Sequence, residues 1–121
     1  MKNLKKVFSG LFLLASTLML IAGCEKKEQV IRIGFNIPLT GNSPKIGESA
    51  RFAGELVKQE VDAAGGLEVG GKKYPVEFIY VDNELKPESA VQAALRLIEQ
   101  DKVLAIVGPC GSGRAIPAGG A

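Results

Sequence analysis

The chain has 121 residues, of which 15 are basic and 13 acidic, and it contains two cysteines and no histidine. This length is enough for one modest domain. The missing histidine removes the commonest general base, and one lone thiol is a poor metal site. The composition therefore argues against an acid–base enzyme and a metalloprotein, and we expect no catalytic residue, metal or cofactor.

Residues 1–23 are predicted to be a lipoprotein signal peptide. Three lysines within the first six residues precede an apolar run from Leu11 to Ala22, which is shorter than the ~20 residues of a membrane span. The run ends in IAGC, where small residues before Cys24 match a lipobox. We expect cleavage before Cys24 and acylation of its thiol; the alternative is a plain secretory signal with a chance cysteine.

Removing the signal changes the charge of the protein. Three lysines leave, so 12 basic residues remain against 13 acidic ones and the net charge is −1. This balance gives no support for nucleic-acid binding, which normally needs a basic stripe. A lipid on Cys24 would place the protein outside the cytoplasm, held to a membrane by acyl chains and a short tether at residues 24–29. Cys110 would then have no disulfide partner within the chain.

The first half of the remaining chain predicts a strand followed by a helix. Residues 30–36, VIRIGFN, are rich in β-branched residues and favour a strand. After a loop, Ser43 and Pro44 provide an N-cap and a proline at the first helical position. Apolar residues recur at helical spacing from Ile46 onward, and Gly65-Gly66 is expected to end the helix.

The second half predicts a turn, a strand, a helix and a further strand. Gly70-Gly71 indicates the turn, and residues 74–81, YPVEFIYV, the strand. Pro87 is expected to open a helix whose apolar side carries Val91, Ala94, Leu95 and Ile98. Residues 103–107, VLAIV, are the most continuously apolar strand, so we expect burial on both faces.

This alternation predicts an α/β fold with right-handed crossovers and a parallel βαβαβ sheet. In such sheets ligands bind beyond the carboxyl ends of the strands. Three segments are expected there, namely residues 37–45, 82–86 and 108–113.

The glycine-rich segment at residues 108–113 is incomplete as an enzyme motif. A P-loop would continue with Lys and Ser or Thr, but Arg114 and Ala115 stand there. The glycine spacing also fails for a dinucleotide fingerprint and for a nucleophile elbow. What remains is a helix start: Ser112 as N-cap, with free N–H groups that suit a carboxylate or similar small anion. The alternative is that Ser112 caps the helix and binds nothing.

Several segments, taken in order, resemble a known family. They are PLTG (38–41), Gly47, VDAAGGL (61–67), Asp82 and Pro87 with AVQAALRLI (90–98), and VGPCGSGRAIPA (107–118). Their order and spacing are similar to the N-terminal part of type I periplasmic solute-binding proteins, in the leucine/isoleucine/valine-binding group of ABC transporters. The resemblance covers nearly all of the chain beyond the signal.

The resemblance implies a two-lobed α/β fold in which a hinged cleft holds the α-carboxylate and α-amino groups of an amino acid. Residues 30–121 would be part of lobe one. Ser112 matches a serine that contacts the carboxylate, and Ile46 stands where the family often has an aromatic residue. Asp82 either lines the cleft or serves only as a turn or cap residue. The candidate ligand-binding residues are Ser112, Gly111, Gly113, Cys110, Ile46 and Asp82.

The implied function is that of a substrate-binding lipoprotein of an ABC importer, with permease subunits as partners and an amino acid or similar small solute as ligand. The alternative is a ligand-sensing extracytoplasmic domain of the same fold. Members of the family run to several hundred residues, so the resemblance also implies that these 121 residues are an N-terminal fragment. A fragment of this size is expected to be marginally stable.

Overall fold

A computed structural model describes residues 29–121, so the predicted signal peptide and Cys24 lie outside the described residues. The elements in chain order are β1 (Ile31–Ile37), α1 (Pro44–Ala63), β2 (Leu67–Val69), β3 (Lys72–Tyr74), β4 (Val76–Asp82), α2 (Pro87–Glu99), β5 (Ala105–Val107) and α3 (Ser112–Gly119). Within this described part, none of the helices has the length and apolar character needed to cross a membrane.

The main sheet has the order β4-β1-β5, and both pairings are parallel. The predicted α/β fold with a parallel sheet is confirmed. β1 lies between the two strands that follow it in the chain, so the direction of the crossovers reverses at β1. The carboxyl ends of all three strands share one edge, and the crevice beside such a reversal is where α/β sheets bind ligands.

One face of the sheet is covered by α1. The helix comes close to the rest of the protein because its two buried residues are glycines, which have no side chain. Gly47 and Gly54 are the buried residues of this helix. A Cβ at Gly54 would lie 2.6 Å from the hydroxyl oxygen of Tyr80. Beneath the helix, the ring centroid of Phe35 is 4.7 Å from that of Tyr80. The absence of side chains at these glycines, rather than large apolar residues, sets the distance between the helix and the sheet.

The opposite face is covered by α2, which packs between the sheet and α3 through a different side from the predicted one. Ile98, which was expected on the apolar side, is exposed. The residues that α2 buries are Ala90, Ala93, Ala94 and Leu97. Alanines allow close approach on both sides of the helix, whereas the larger apolar side chains dominated the sequence pattern. Of the four predicted residues, Ala94 is buried, Val91 and Leu95 are half-buried and Ile98 is exposed, so the buried face is rotated from the predicted one.

β5 is not buried on both faces as expected. It spans only Ala105–Val107 and is the outer strand of the sheet in the described chain. Ile106 packs against the α2 side, but Val107 faces the α1 side and is exposed, and Leu104 is 78% exposed. The burial prediction was wrong because α1 packs against β4 and β1 rather than over β5.

A short hairpin was missed by the sequence reading. β2 and β3 pair antiparallel, and the predicted turn at Gly70-Gly71 joins them. Both glycines have positive φ, 59° and 76°, as the tightest hairpin turns require. Pro75 then separates β3 from β4, so the predicted strand 74–81 is really the end of a hairpin followed by a sheet strand.

Candidate functional site

Three loops meet at the carboxyl edge of the sheet: residues 38–43 after β1, 83–86 after β4 and 108–111 after β5. A Cβ at Gly41 would overlap the carbonyl oxygen of Glu84, so the first and second loops are in backbone contact. A Cβ at Gly108 would likewise overlap the carbonyl oxygen of Asn36, so the third loop lies against the end of β1. The three segments predicted to share this edge are therefore adjacent.

Asp82, at the end of β4, fastens the first loop to the second. Its Oδ1 accepts hydrogen bonds from the backbone amides of Leu39 (2.8 Å), Thr40 (3.2 Å) and Glu84 (2.9 Å). Its Oδ2 accepts a hydrogen bond from the hydroxyl of Thr40. These contacts correspond to the turn-residue alternative for Asp82, and a role in ligand binding stays a prediction.

Acid is expected to weaken the fold through Asp82. Burial opposes ionisation, but the donors on Thr40, Glu84 and Leu39 outweigh it and hold the pKa of Asp82 below its ordinary value of 3.8. A lowered folded pKa stabilises the protein above the unfolded pKa, and this contribution is lost as the pH falls through the folded pKa. Urea unfolding at neutral pH and near pH 3 should therefore show a smaller acid loss for Asp82→Asn than for the wild type.

The matched control for that experiment is Asp62→Asn, since Asp62 forms only an exposed i,i+4 ion pair with Lys58. We expect its pH dependence to follow the wild type. Equal acid loss in Asp82→Asn and the wild type would contradict the assignment.

Two buried asparagines form a polar cluster that the sequence reading did not single out. Asn36 and Asn83 are both 0% exposed. The Nδ2 of Asn83 donates to Oδ1 of Asn36 (2.9 Å), and the Nδ2 of Asn36 donates to the carbonyl of Ala90 (2.8 Å). Asn83 Oδ1 accepts the amide of Leu85 at 3.0 Å. The cluster joins the ends of β1 and β4 to α2; its signal in the sequence was an asparagine closing each apolar strand.

The glycine loop differs from the prediction in one respect. The N-cap of α3 is Gly111, with φ 86° and ψ 138°, and Ser112 is the first helical residue. No side-chain capping hydrogen bond is made at this end of α3. The amides of Arg114 and Ala115 donate to the Gly111 carbonyl, whereas helix geometry leaves those of Ser112 and Gly113 without intrahelical partners. The capping prediction for Ser112 was wrong, and its exposed hydroxyl is available to a ligand.

Arg114 lies beside this loop and was missed as a structural residue. Its Nε donates to the carbonyl of Cys110 at 2.8 Å, and its Nη1 is 3.5 Å from the carbonyl of Leu85. The guanidinium thus stands between the second and third loops. Together with the partial positive charge of the α3 N-terminus, it makes the local potential favourable for an anion.

The remaining candidate residues are Cys110 and Ile46, and both are exposed. Cys110 is exposed and has no disulfide partner among residues 29–121. Ile46 is 45% exposed in the first turn of α1. Asp82 is the candidate residue whose hydrogen bonds join the first and second loops. In the described region no group of acidic or cysteine side chains could hold a metal ion.

The sequence profile of a family described as "Periplasmic binding protein" matches residues 30–119, almost the whole of the described chain. The chain belongs to the periplasmic binding protein family. This family implies an extracytoplasmic location, and its members found by comparison are solute-binding proteins rather than enzymes.

Relatives of known name agree with this assignment. An amino acid binding protein of Pseudomonas aeruginosa is 32% identical over 115 residues, covering 94% of this chain and 29% of that protein. A branched-chain amino acid transporter substrate binding protein of Streptococcus pneumoniae, solved with isoleucine, is 33% identical with a TM-score of 0.65, over 74% of this chain and 25% of that one.

A solute binding protein of an ABC transporter from Rhodopseudomonas palustris, solved with 3,4-dihydroxybenzoic acid, is 29% identical with a TM-score of 0.59. The match covers 74% of this chain and 23% of that one. The chain therefore spans between 23% and 29% of the length of these three relatives.

Proposed function

We propose that the chain is the ligand-contacting first part of a substrate-binding lipoprotein of an ABC importer, which captures branched-chain amino acids or similar small carboxylates. The observation that carries the proposal is the α3 N-terminus, where the Ser112 hydroxyl and the free amides of Ser112 and Gly113 lie at the reversal point of the sheet. Isoleucine and 3,4-dihydroxybenzoic acid, bound by two relatives, differ in shape but share a carboxylate.

The proposed carboxylate site uses the backbone more than the side chains. Gly113 leaves the amides open to close approach by a ligand, and Ser112 adds a hydroxyl donor. Gly111 makes room for the Arg114 guanidinium. Asp82 acts indirectly, since its oxygens already accept hydrogen bonds from the loops that it fastens. Cys110 and Ile46, both exposed, would contribute apolar contacts to a bound ligand. The amino group and side chain of a ligand would be met by the remaining length of the relatives' fold.

The proposal also covers export, attachment to the membrane and the partner proteins of the transporter. Residues 1–23 would direct export, and a lipid on Cys24 would hold the protein at the membrane through the tether at residues 24–29. The permease subunits of the importer would receive the ligand-bound form. These parts rest on the lipobox and on the family, whose relatives are named as transporter components.

The carboxylate site is tested by nuclear magnetic resonance titration of the chain with isoleucine. We expect the amides of residues 111–113 to shift with isoleucine and not with isoleucinamide, which has no carboxylate. Binding is expected to be weak, with a Kd of about 1 mM or more, because the described residues supply one wall of a cleft. Equal shifts with both compounds would contradict the proposal.

Ser112→Ala is expected to weaken this binding by about 1–3 kcal/mol, the usual contribution of a hydrogen bond to a charged partner. The slope of the amide shifts against isoleucine concentration should then fall at least about fivefold. Ser49→Ala is the matched control, because the Ser49 hydroxyl bonds only the carbonyl of Lys45 within its own helix. A slope equal to that of the control would remove Ser112 from the site.

A further inference from the structure

Arg114 is the residue that connects the two loops on either side of the candidate site. Its Nε donates to the Cys110 carbonyl at 2.8 Å, on the loop that leads to Ser112. Its Nη1 reaches to within 3.5 Å of the Leu85 carbonyl, on the loop after β4. Arg114 is half-buried; its contact with Leu85 is partly buried, whereas its bond to Cys110 is exposed. A planar guanidinium carries N–H donors on three nitrogens in a fixed arrangement, so it can hydrogen-bond two carbonyls at once, whereas an ammonium has all its donors on one nitrogen.

Both loops have a backbone conformation that favours this bridge. Glu84 and Leu85 have φ values of 50° and 62°, a region that side chains other than glycine seldom adopt. The amide of Leu85 is held by Asn83, which fixes the direction of this turn. On the other loop, a Cβ at Gly111 would lie 2.7 Å from Nη2 of Arg114, so the guanidinium occupies the space that a side chain there would take.

The placement of Arg114 in the helix is unfavourable without these contacts. It is the third residue of α3, and a cation in the first turn of a helix is opposed by the helix dipole. No acidic side chain pairs with Arg114 among the ion pairs of the described residues. The two carbonyls are therefore its polar partners there.

From these contacts we propose that Arg114 is a positioning residue, whose guanidinium holds the Ser112 loop and the loop after β4 at a fixed spacing. The assignment rests on the proposed function insofar as these loops form one wall of the ligand site. It deepens that function by naming what pre-organises the wall: the amides of Ser112 and Gly113 are kept in place before the ligand arrives, which lowers the ordering cost of binding.

Hydrogen exchange of the chain tests the bridge without any ligand. In Arg114→Ala, peptides covering residues 82–88 and 108–115 should exchange about tenfold faster, while peptides from β1 and β4 keep their wild-type rates, as expected for local opening. Arg114→Lys should also exchange faster, since an ammonium lacks the two separate nitrogens, Nε and Nη1, that contact the two carbonyls. Arg96→Ala is the matched control, because Arg96 lies in the last turn of α2, at the end away from the loop after β4, and its ion pair is with Asp101.

Chemical rescue separates positioning from general stability. Millimolar methylguanidinium should restore slow exchange of both loops in Arg114→Ala, whereas the same concentration of ethylammonium should not. Wild-type exchange rates in Arg114→Ala, acceleration that spreads equally to β1 and β4, or rescue by either cation alike would each overturn the assignment. If the exchange and rescue experiments give the expected results but isoleucine does not bind, the finding counts against the proposed function alone.

Discussion

Gly47→Ala is expected to lower the free energy of unfolding by about 3–5 kcal/mol, a large part of the stability of a chain of this size. Gly47 is buried where α1 crosses the loop after β1, and a Cβ there would overlap the backbone carbonyl of Pro38. Backbone cannot rotate away as a flexible side chain can. Relief requires α1 or the loop to move, and either movement disturbs the packing of α1 on the sheet.

Urea unfolding followed by circular dichroism measures this loss. Gly113→Ala is the matched control, since it is also a helical glycine but has no atom within 4 Å of the added Cβ. Alanine is a better helix former than glycine, so the control should gain up to about 1 kcal/mol. If Gly47→Ala behaved like the control, the close approach of α1 to the loop after β1 would be wrong.

Asn36→Ala is expected to cost about 1–3 kcal/mol, because it leaves one buried group without a partner. This is the side-chain amide of Asn83, which now donates to Oδ1 of Asn36 at 2.9 Å. The carbonyl of Ala90 loses its bond from Asn36 (2.8 Å) but keeps its intrahelical bond within α2. The Asn83 amide cannot reach water, since Asn83 is 0% exposed. The cost therefore comes from desolvation without compensation rather than from the small volume removed.

A double-mutant cycle with Asn83→Ala gives the sharper result. Since the side chains contact one another, the double variant should lose less than the sum of the single losses, with a coupling of about 0.5–3 kcal/mol. Asn42→Ala is the control, because Asn42 is exposed in the same stretch of chain. Additive losses, or an Asn36→Ala loss no larger than that of the control, would show that the buried cluster is not formed.

The sequence predicted the order of the main-sheet elements because its three strands carry β-branched residues and the two helices between them, α1 and α2, start at a proline. It could not predict how deeply an element is buried, since burial depends on neighbours. Leu104 and Val107 belong to the most apolar predicted strand and are nevertheless exposed, because among residues 29–121 no helix packs over that side of β5. The face of α2 was misjudged for a related reason: alanines contribute little to a hydrophobic pattern but permit the closest packing.

The candidate site was predicted at the level of loops rather than of contacts. Strand alternation is sufficient to bring residues 37–45, 82–86 and 108–113 to one edge. The partners of Asp82, Asn83 and Arg114 depend on turns with positive φ and on the spacing of backbone carbonyls. Such features are set by the three-dimensional path of the chain, so a sequence pattern read in short segments does not contain them.

The hydrogen bonds that the Asp82 carboxylate accepts affect how an anion would approach the proposed site. With hydrogen bonds from Leu39, Thr40 and Glu84 around it, this carboxylate has its oxygens engaged within the loops while it keeps its negative charge. The nearby Glu84 is paired with Lys86 at 2.6 Å. The α3 N-terminus and Arg114 are the positive groups beside the proposed site. An incoming carboxylate is attracted end-first, within the ~8 Å over which physiological salt allows their field to act.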